Sequence, residues 1–94
     1  MLSSAEKKVL RGEAQLLKPR VKIGKQGVSA GVLEQITAAL AQDKLIKIRF
    51  DANRDEITLM LEDIIAKTGA ELVGRVGKTA SVFRNKVSEK LGEG

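Results

Sequence analysis

Two short glycine brackets hold the residues of this chain best suited to chemistry: Gly24-Lys25-Gln26-Gly27, and Gly74-Arg75-Val76-Gly77 followed by Lys78. The chemistry is anion capture rather than bond breaking. A glycine at each end lets the backbone turn tightly and approach a ligand with no Cβ in the way. The first bracket runs almost directly into a helix, whose first amides are unpaired and carry the positive end of the helix dipole. A phosphate placed there would meet backbone N–H groups, with Lys25 as a point charge and Gly31 keeping the approach open. In the second bracket Arg75 would act as a fork and Lys78 as a point charge. A simpler account of the second bracket also exists, in which Gly77 permits a turn and Gly74 marks a bulge or close packing. Four residues alone equally describe an ordinary strand-to-helix turn.

The cations around the brackets give them weight. Seventeen Lys and Arg stand against 12 Asp and Glu, a net charge of +5, and they are segregated. Residues 18–25 carry Lys18, Arg20, Lys22 and Lys25 with no acid. Residues 44–49 carry Lys44, Lys47 and Arg49, and the C-terminal part adds Arg75, Lys78, Arg84, Lys86 and Lys90. The acids gather at 51–63. Such segregation predicts one strongly positive face and a polyanionic partner. Asp55 and Glu56 fall in the first turn of a helix, where anions meet the dipole favourably, and Glu62 and Asp63 flank an apolar stripe as solvated residues do. They do not form a catalytic pair. With no His and no Cys, the usual zinc ligands and the commonest nucleophile and base are missing. The expectation is a binding protein with no cofactor, no metal, no small-molecule substrate and no enzymatic activity.

The elements that would position these residues follow from periodicity. A hydrophobic fraction of 43% over 94 residues supports one packed domain. Ser3 and Glu6 have capping-box spacing, and Ala5, Val9, Leu10, Ala14, Leu16 and Leu17 recur at helical spacing, predicting a helix over 4–17 that Pro19 ends. Arg20-Val21-Lys22-Ile23 alternates as a strand with its cations outward. Ser29 caps a second helix with the stripe Val32, Leu33, Ile36, Ala39 and Leu40. Residues 44–50 alternate again, Ile46, Ile48 and Phe50 inward, Lys47 and Arg49 outward. Asn53 and Glu56 launch a third helix with Ile57, Met60, Leu61, Ile64 and Ile65 buried, closed by Gly69 in a left-handed conformation. Residues 72–76 and 79–84 form a hairpin through Gly77-Lys78. The expected fold is α/β, a single α-β-α-β-α-β-β domain with a four-stranded mixed sheet over residues 1–85 and a polar tail over 86–94. If the first two strands are neighbours, Arg20, Lys22, Lys47 and Arg49 share a sheet face. No run approaches the about 18 apolar residues needed to span a bilayer, and the opening MLSSAEKK lacks a secretory apolar stretch. A cytoplasmic, monomeric protein away from membranes is expected.

The stretches Leu17-Lys18-Pro19, Val21-Lys22-Ile23-Gly24-Lys25-Gln26-Gly27-Val28, Gly31-Val32-Leu33 and Leu45-Ile46-Lys47-Ile48 resemble the CRM domain, also called the YhbY-like family. The C-terminal half continues the resemblance in Thr68-Gly69-Ala70-Glu71-Leu72-Val73, Arg75-Val76-Gly77-Lys78 and Val82-Phe83-Arg84, so that it covers about residues 2–85. The resemblance implies a fold related to the C-terminal domain of a bacterial translation initiation factor, with a loop comparable to the GxxG of KH domains. It also implies association with precursors of the large ribosomal subunit, as for stand-alone bacterial members. On this basis the loop role falls to Gly24, Lys25, Gln26 and Gly27, with support from Arg75 and Lys78. The full candidate RNA contact set is Arg20, Lys22, Gly24, Lys25, Gln26, Gly27, Lys47, Arg49, Arg75, Gly77, Lys78 and Arg84. Phe83 stands where the family often has Tyr, which removes any hydroxyl contact there. Phe50 and Phe83 are the only aromatics, so base-stacking platforms are absent and backbone recognition of structured RNA, in particular large-subunit rRNA, is expected. The competing reading is a basic protein-interaction module that docks an acidic partner.

Overall fold

The computed structural model describes residues 2–84; the predicted tail at 86–94, with Lys86 and Lys90, lies outside the described residues. The chain runs α1 (Ser4–Ala14), β1 (Val21–Ile23), α2 (Ala30–Asp43), β2 (Leu45–Phe50), α3 (Arg54–Thr68), β3 (Glu71–Val76) and β4 (Thr79–Phe83). The four strands form one sheet in the order β1-β2-β4-β3. β1 lies parallel to β2, and the other two pairings are antiparallel. The α/β class, the element order and the mixed sheet are those expected from periodicity.

Local chemistry accounts for the helix starts. Ser3 accepts from the Glu6 amide while the Glu6 carboxylate accepts from the Ser3 amide, and Asn53 and Glu56 repeat the same reciprocal pair at the head of α3. Ser29 accepts from the Val32 amide at the head of α2. Gly69 ends α3 at φ 77°, the left-handed conformation that glycine adopts without steric penalty.

Alternation on β2 divides the molecule into two faces. Ile46, Ile48 and Phe50 point into the main core, with Val21, Ile23, Ala80 and Val82 from the neighbouring strands and Ile36, Leu40, Ile57, Leu61 and Ile64 from α2 and α3. Phe50 is the largest fully buried side chain. The opposite face is covered only in part. There α1 packs on β2 and β3, and Ala14, Leu45 and Val73 form a small second core with Leu2, Leu10 and Phe83 around it.

The first helix is shorter than its apolar spacing suggests. It stops at Ala14, where the amides of Leu16 and Leu17 bond to the carbonyls of Glu13 and Ala14, three residues back, in a tightening last turn. Leu16 is 87% exposed and Val9 62% exposed, so neither belongs to the buried stripe. The physical reason is that α1 lies across one sheet face with solvent on its other sides. Only the row Lys7, Leu10, Arg11, Ala14 faces the strands, and Pro19 prevents Leu16 and Leu17 from continuing it.

Candidate nucleic-acid interface

The end of β2 holds both glycine brackets. The Asp51 amide donates to the Ile23 carbonyl, immediately before Gly24, at 2.8 Å. The Phe50 amide donates to the Lys78 carbonyl, immediately after Gly77, also at 2.8 Å. Two backbone bonds from adjacent residues thus fix the 24–27 loop and the β3–β4 turn on either side of one strand end. Between them lies an open depression lined by Lys22, Gly24, Arg49, Asp51 and Lys78.

Each bracket turns as its glycines require. In the first, the Gly27 amide donates to the Gly24 carbonyl at 3.1 Å, and Gly27 takes φ 85°. Two residues later Ser29 caps α2, so the loop opens directly onto the head of that helix. In the second, Gly77 takes φ 57° at the first central position of a two-residue hairpin turn, a position that favours glycine.

Lys22 and Arg49 are direct cross-strand neighbours in the parallel β1–β2 pairing. Thr79 follows on β4 and Val76 on β3, completing a row across the sheet. Lys47 sits on the same face, two residues back along β2 toward α1, and its ammonium donates to the Leu17 carbonyl at 3.3 Å. Among the described residues the side chains of Lys22, Lys25, Arg49 and Lys78 have no hydrogen bond or ion pair. Like charges directly opposite each other cost a few tenths up to about 1 kcal/mol. Folding sets Lys22 against Arg49 with no carboxylate between them, and Asp51 stands only at the rim.

Three predicted cations lie elsewhere. Arg20 does not join the Lys22 face: its guanidinium reaches back to Asp43 and Gln42 at the end of α2. Arg75 projects toward the helices, where it donates to Thr58 Oγ1 at 2.8 Å and to the Arg54 carbonyl at 3.0 Å. Arg84 is half-buried and donates to the Thr68 carbonyl at 3.0 Å, tying the end of β4 to α3. Arg20 and Arg84 bond to the C-terminal ends of α2 and α3, where unpaired carbonyls and polar side chains gather, and Arg75 bonds to the first turns of α3. The fork geometry that suits arginine to phosphate suits it equally to these acceptors.

Gly74 has a packing role. A Cβ built there would meet Cδ and Cγ of Arg11 at 2.8 and 2.9 Å, because the aliphatic stem of that α1 side chain lies across the strand. A bulge between Leu72 and Gly74 turns Val73 toward α1 at the same point. Arg11 is not among the residues that charge segregation assigns to this face. Its i, i+3 relation to Ala14 is the signal in the sequence that could have found it.

Among the described residues no helix is long and apolar enough to cross a membrane, and no group of three or more His, Cys, Asp or Glu could hold a metal ion.

With this geometry in view, residues 2–84 match the CRS1/YhbY (CRM) domain. The chain belongs to that family. A probable RNA-binding protein of Pseudomonas aeruginosa is 32% identical over 84 residues, covering 88% of this chain and 81% of its own length. An RNA-binding protein of Haemophilus influenzae is 33% identical over 91 residues, covering 96% of this chain and 92% of its own. The solution structure of a Staphylococcus aureus protein proposed to bind RNA superposes with a TM-score of 0.81 at 30% identity, over 90% of each chain. This CRM domain thus shares its fold and nearly its full length with small bacterial relatives, in line with the stand-alone form that the motifs resemble.

Proposed function

We propose that this CRM domain is a non-enzymatic RNA-binding protein that grips the phosphates of structured RNA at the end of β2. The observation that carries the reading is the pairing of Lys22 with Arg49 in adjacent strands, flanked by Lys25 and Lys78, with none of the four engaged by another described residue. Four unengaged cations with a single acid, Asp51, at their rim are a cost to the free fold that a polyanion offsets. The relatives' names support RNA as that polyanion. The Gly24–Gly27 loop supplies backbone N–H groups and the head of α2 beside it, and Gly77 presents Lys78 from the opposite side. Lys47 extends the same face toward α1. Arg20, Arg75 and Arg84 shape the support for this grip rather than its contact surface.

The finer reading is association with precursors of the large ribosomal subunit, as a cytoplasmic monomer that assists assembly, with residues 1–85 as the binding domain and 86–94 as a polar tail. Crosslinking followed by sedimentation of a cell extract tests it. The expected result is co-sedimentation with large-subunit precursors and crosslinks to their rRNA at residues 22–27, 49 and 78. Absence from those fractions defeats the ribosomal reading, and a partner retained after nuclease treatment without RNA crosslinks defeats RNA binding itself. Binding should also weaken steeply with salt, because phosphate contacts release counterions.

A further inference from the structure

The sheet face that carries the cations also carries a groove that phosphate binding does not use. It lies between α1 and the β3–β4 hairpin, has a volume of about 280 Å³, and is bordered by Arg11, Gln15, Lys47, Gly74, Val76 and Ser81 among others. Its lining is mixed. Val76 is 80% exposed and stands as an apolar wall at the hairpin, facing the stem of Arg11 where that stem crosses Gly74. Ser81 is only 7% exposed, and its hydroxyl has no hydrogen-bond partner among the described residues. That hydroxyl opens onto the groove, so the polar edge of an occupant can hydrogen-bond it in place of solvent.

We infer that this groove receives one unpaired RNA base, seated beside the phosphate grip; the inference rests on the RNA-binding reading above. A phosphate would be poorly matched to walls made by Val76, Ala14 and an arginine stem. A purely apolar group would leave Ser81 unsatisfied. A flat heteroaromatic ring meets both demands, with its faces against Val76 and the Arg11 side chain and its polar edge toward Ser81. The edge must be rich in acceptors. Lys47 gives one N–H to the Leu17 carbonyl and retains two, and Arg11 makes only a long 3.4 Å bond to the Val73 carbonyl. Uracil, with two carbonyl oxygens and no amino group, presents acceptors to such donors, whereas adenine and cytosine each set an amino donor on the same edge. The position also suits a continuous strand. Lys47 and Arg49 are two residues apart on one face of β2, about 6.5 Å, so a nucleotide whose phosphate lies on Arg49 can drop its base toward Lys47. Splayed, unpaired bases are the usual targets of sequence readout in RNA. The domain would thereby read a base without an aromatic platform.

The test uses three RNA hairpins with the same stem and loop length, whose loops carry uridines, adenosines or abasic sites. The intact protein should bind the uridine loop about three- to tenfold more tightly than the other two, the worth of about one hydrogen bond at a solvent-open site. Ser81→Ala should bring all three to the abasic level without changing the salt dependence. Gln15→Trp, at an exposed position, should do the same by filling the groove, which guards against a packing effect at Ser81. Equal binding of all three RNAs by the intact protein, with a steep salt slope, overturns the base site and leaves the phosphate grip standing. A preference for adenosines overturns it as well. Failure to bind any of the three defeats the RNA-binding reading, and the base site with it.

Discussion

The loop at residues 24–27 and the hairpin at 74–78 present the same glycine spacing, with a cation directly after the first glycine of each. In the first, Lys25 is exposed and unengaged, and Gly24 meets nothing closer than the flexible amide tip of Gln26. In the second, Arg75 is turned to α3 and Gly74 lies beneath the Arg11 stem. One bracket presents its contents and the other packs them. The difference arises from topology. The first bracket joins a strand to a helix at an open sheet edge, while the second lies in a strand with α1 on one face and α3 on the other. A glycine bracket therefore says that backbone comes close to something, but the something can be a ligand or the protein's own side chain.

The largest expected effect tests the presenting side. Lys22→Ala, Lys25→Ala and Arg49→Ala together should lower affinity for structured RNA roughly 100- to 200-fold, at about 1 kcal/mol for each solvated phosphate interaction. The dependence of log K on log salt should flatten by about one unit for each cation removed from a phosphate. Stability in urea should hold or rise by up to about 1 kcal/mol, because the side chains bond to nothing in the fold and the Lys22–Arg49 repulsion is relieved. An unchanged salt slope would mean that the grip lies elsewhere.

On the packing side, Gly74→Ala should cost about 1–2 kcal/mol of stability, since the new methyl group overlaps the Arg11 stem. The same change in an Arg11→Ala background should cost much less, a coupling that a double-mutant cycle in urea measures directly. Additive effects would show that the strand, not Arg11, requires the glycine. Gly24→Ala is the matching control. Its backbone is not in the left-handed region and its neighbour is a flexible amide, so stability should hold.

A smaller effect separates the two cations. Arg75→Ala removes two charge-assisted hydrogen bonds at a partly exposed site, which should cost about 1 kcal/mol after solvent screening. RNA affinity should change less than twofold. A large drop in affinity with stability intact would make Arg75 part of the grip and erase the contrast between the brackets.

Much of this arrangement was legible in the residues, and the limits of legibility follow one rule. Features set by near neighbours were readable: the capping pairs Ser3–Glu6 and Asn53–Glu56, the inward row Ile46, Ile48, Phe50, the left-handed Gly69 and the two-residue turn at Gly77-Lys78. Features set by distant partners were not. Arg20 meets Asp43 23 residues on, and Arg75 meets Thr58 17 residues back, so no local pattern marks these cations as engaged. Leu16 continues a helical stripe in the sequence but has no surface to pack against. Lys44 takes φ 66° at the end of α2, where propensity would ask for glycine. Its carbonyl accepts the Arg84 amide, so pairing with β4 holds it there. The adjacency of Lys22 and Arg49 needed the parallel β1–β2 pairing, which alternation suggests but does not align.

The smallest effect concerns what holds the packing bracket closed. Arg11 reaches Gly74 only while α1 is seated, and α1 begins at the Ser3–Glu6 pair. Hydrogen bonds to its carboxylate from the Ser3 amide, then from the Ser3 side chain, hold the Glu6 pKa below its ordinary value. A group depressed in this way supports the fold fully above its unfolded pKa and loses that support as the pH falls through the folded one. Acidification through and below the ordinary glutamate range should therefore loosen the head of α1. In amide NMR spectra recorded down this range, Ser3 and Gly74 should shift together with a single midpoint, while Gly24 and Gly27 follow neither. Glu6→Gln keeps an acceptor for the Ser3 amide but cannot titrate, so it should abolish the shared midpoint. Gly24 moving in step with Gly74 would mean that the two brackets are mechanically one unit, held through the end of β2, rather than two separately supported ends of the same surface.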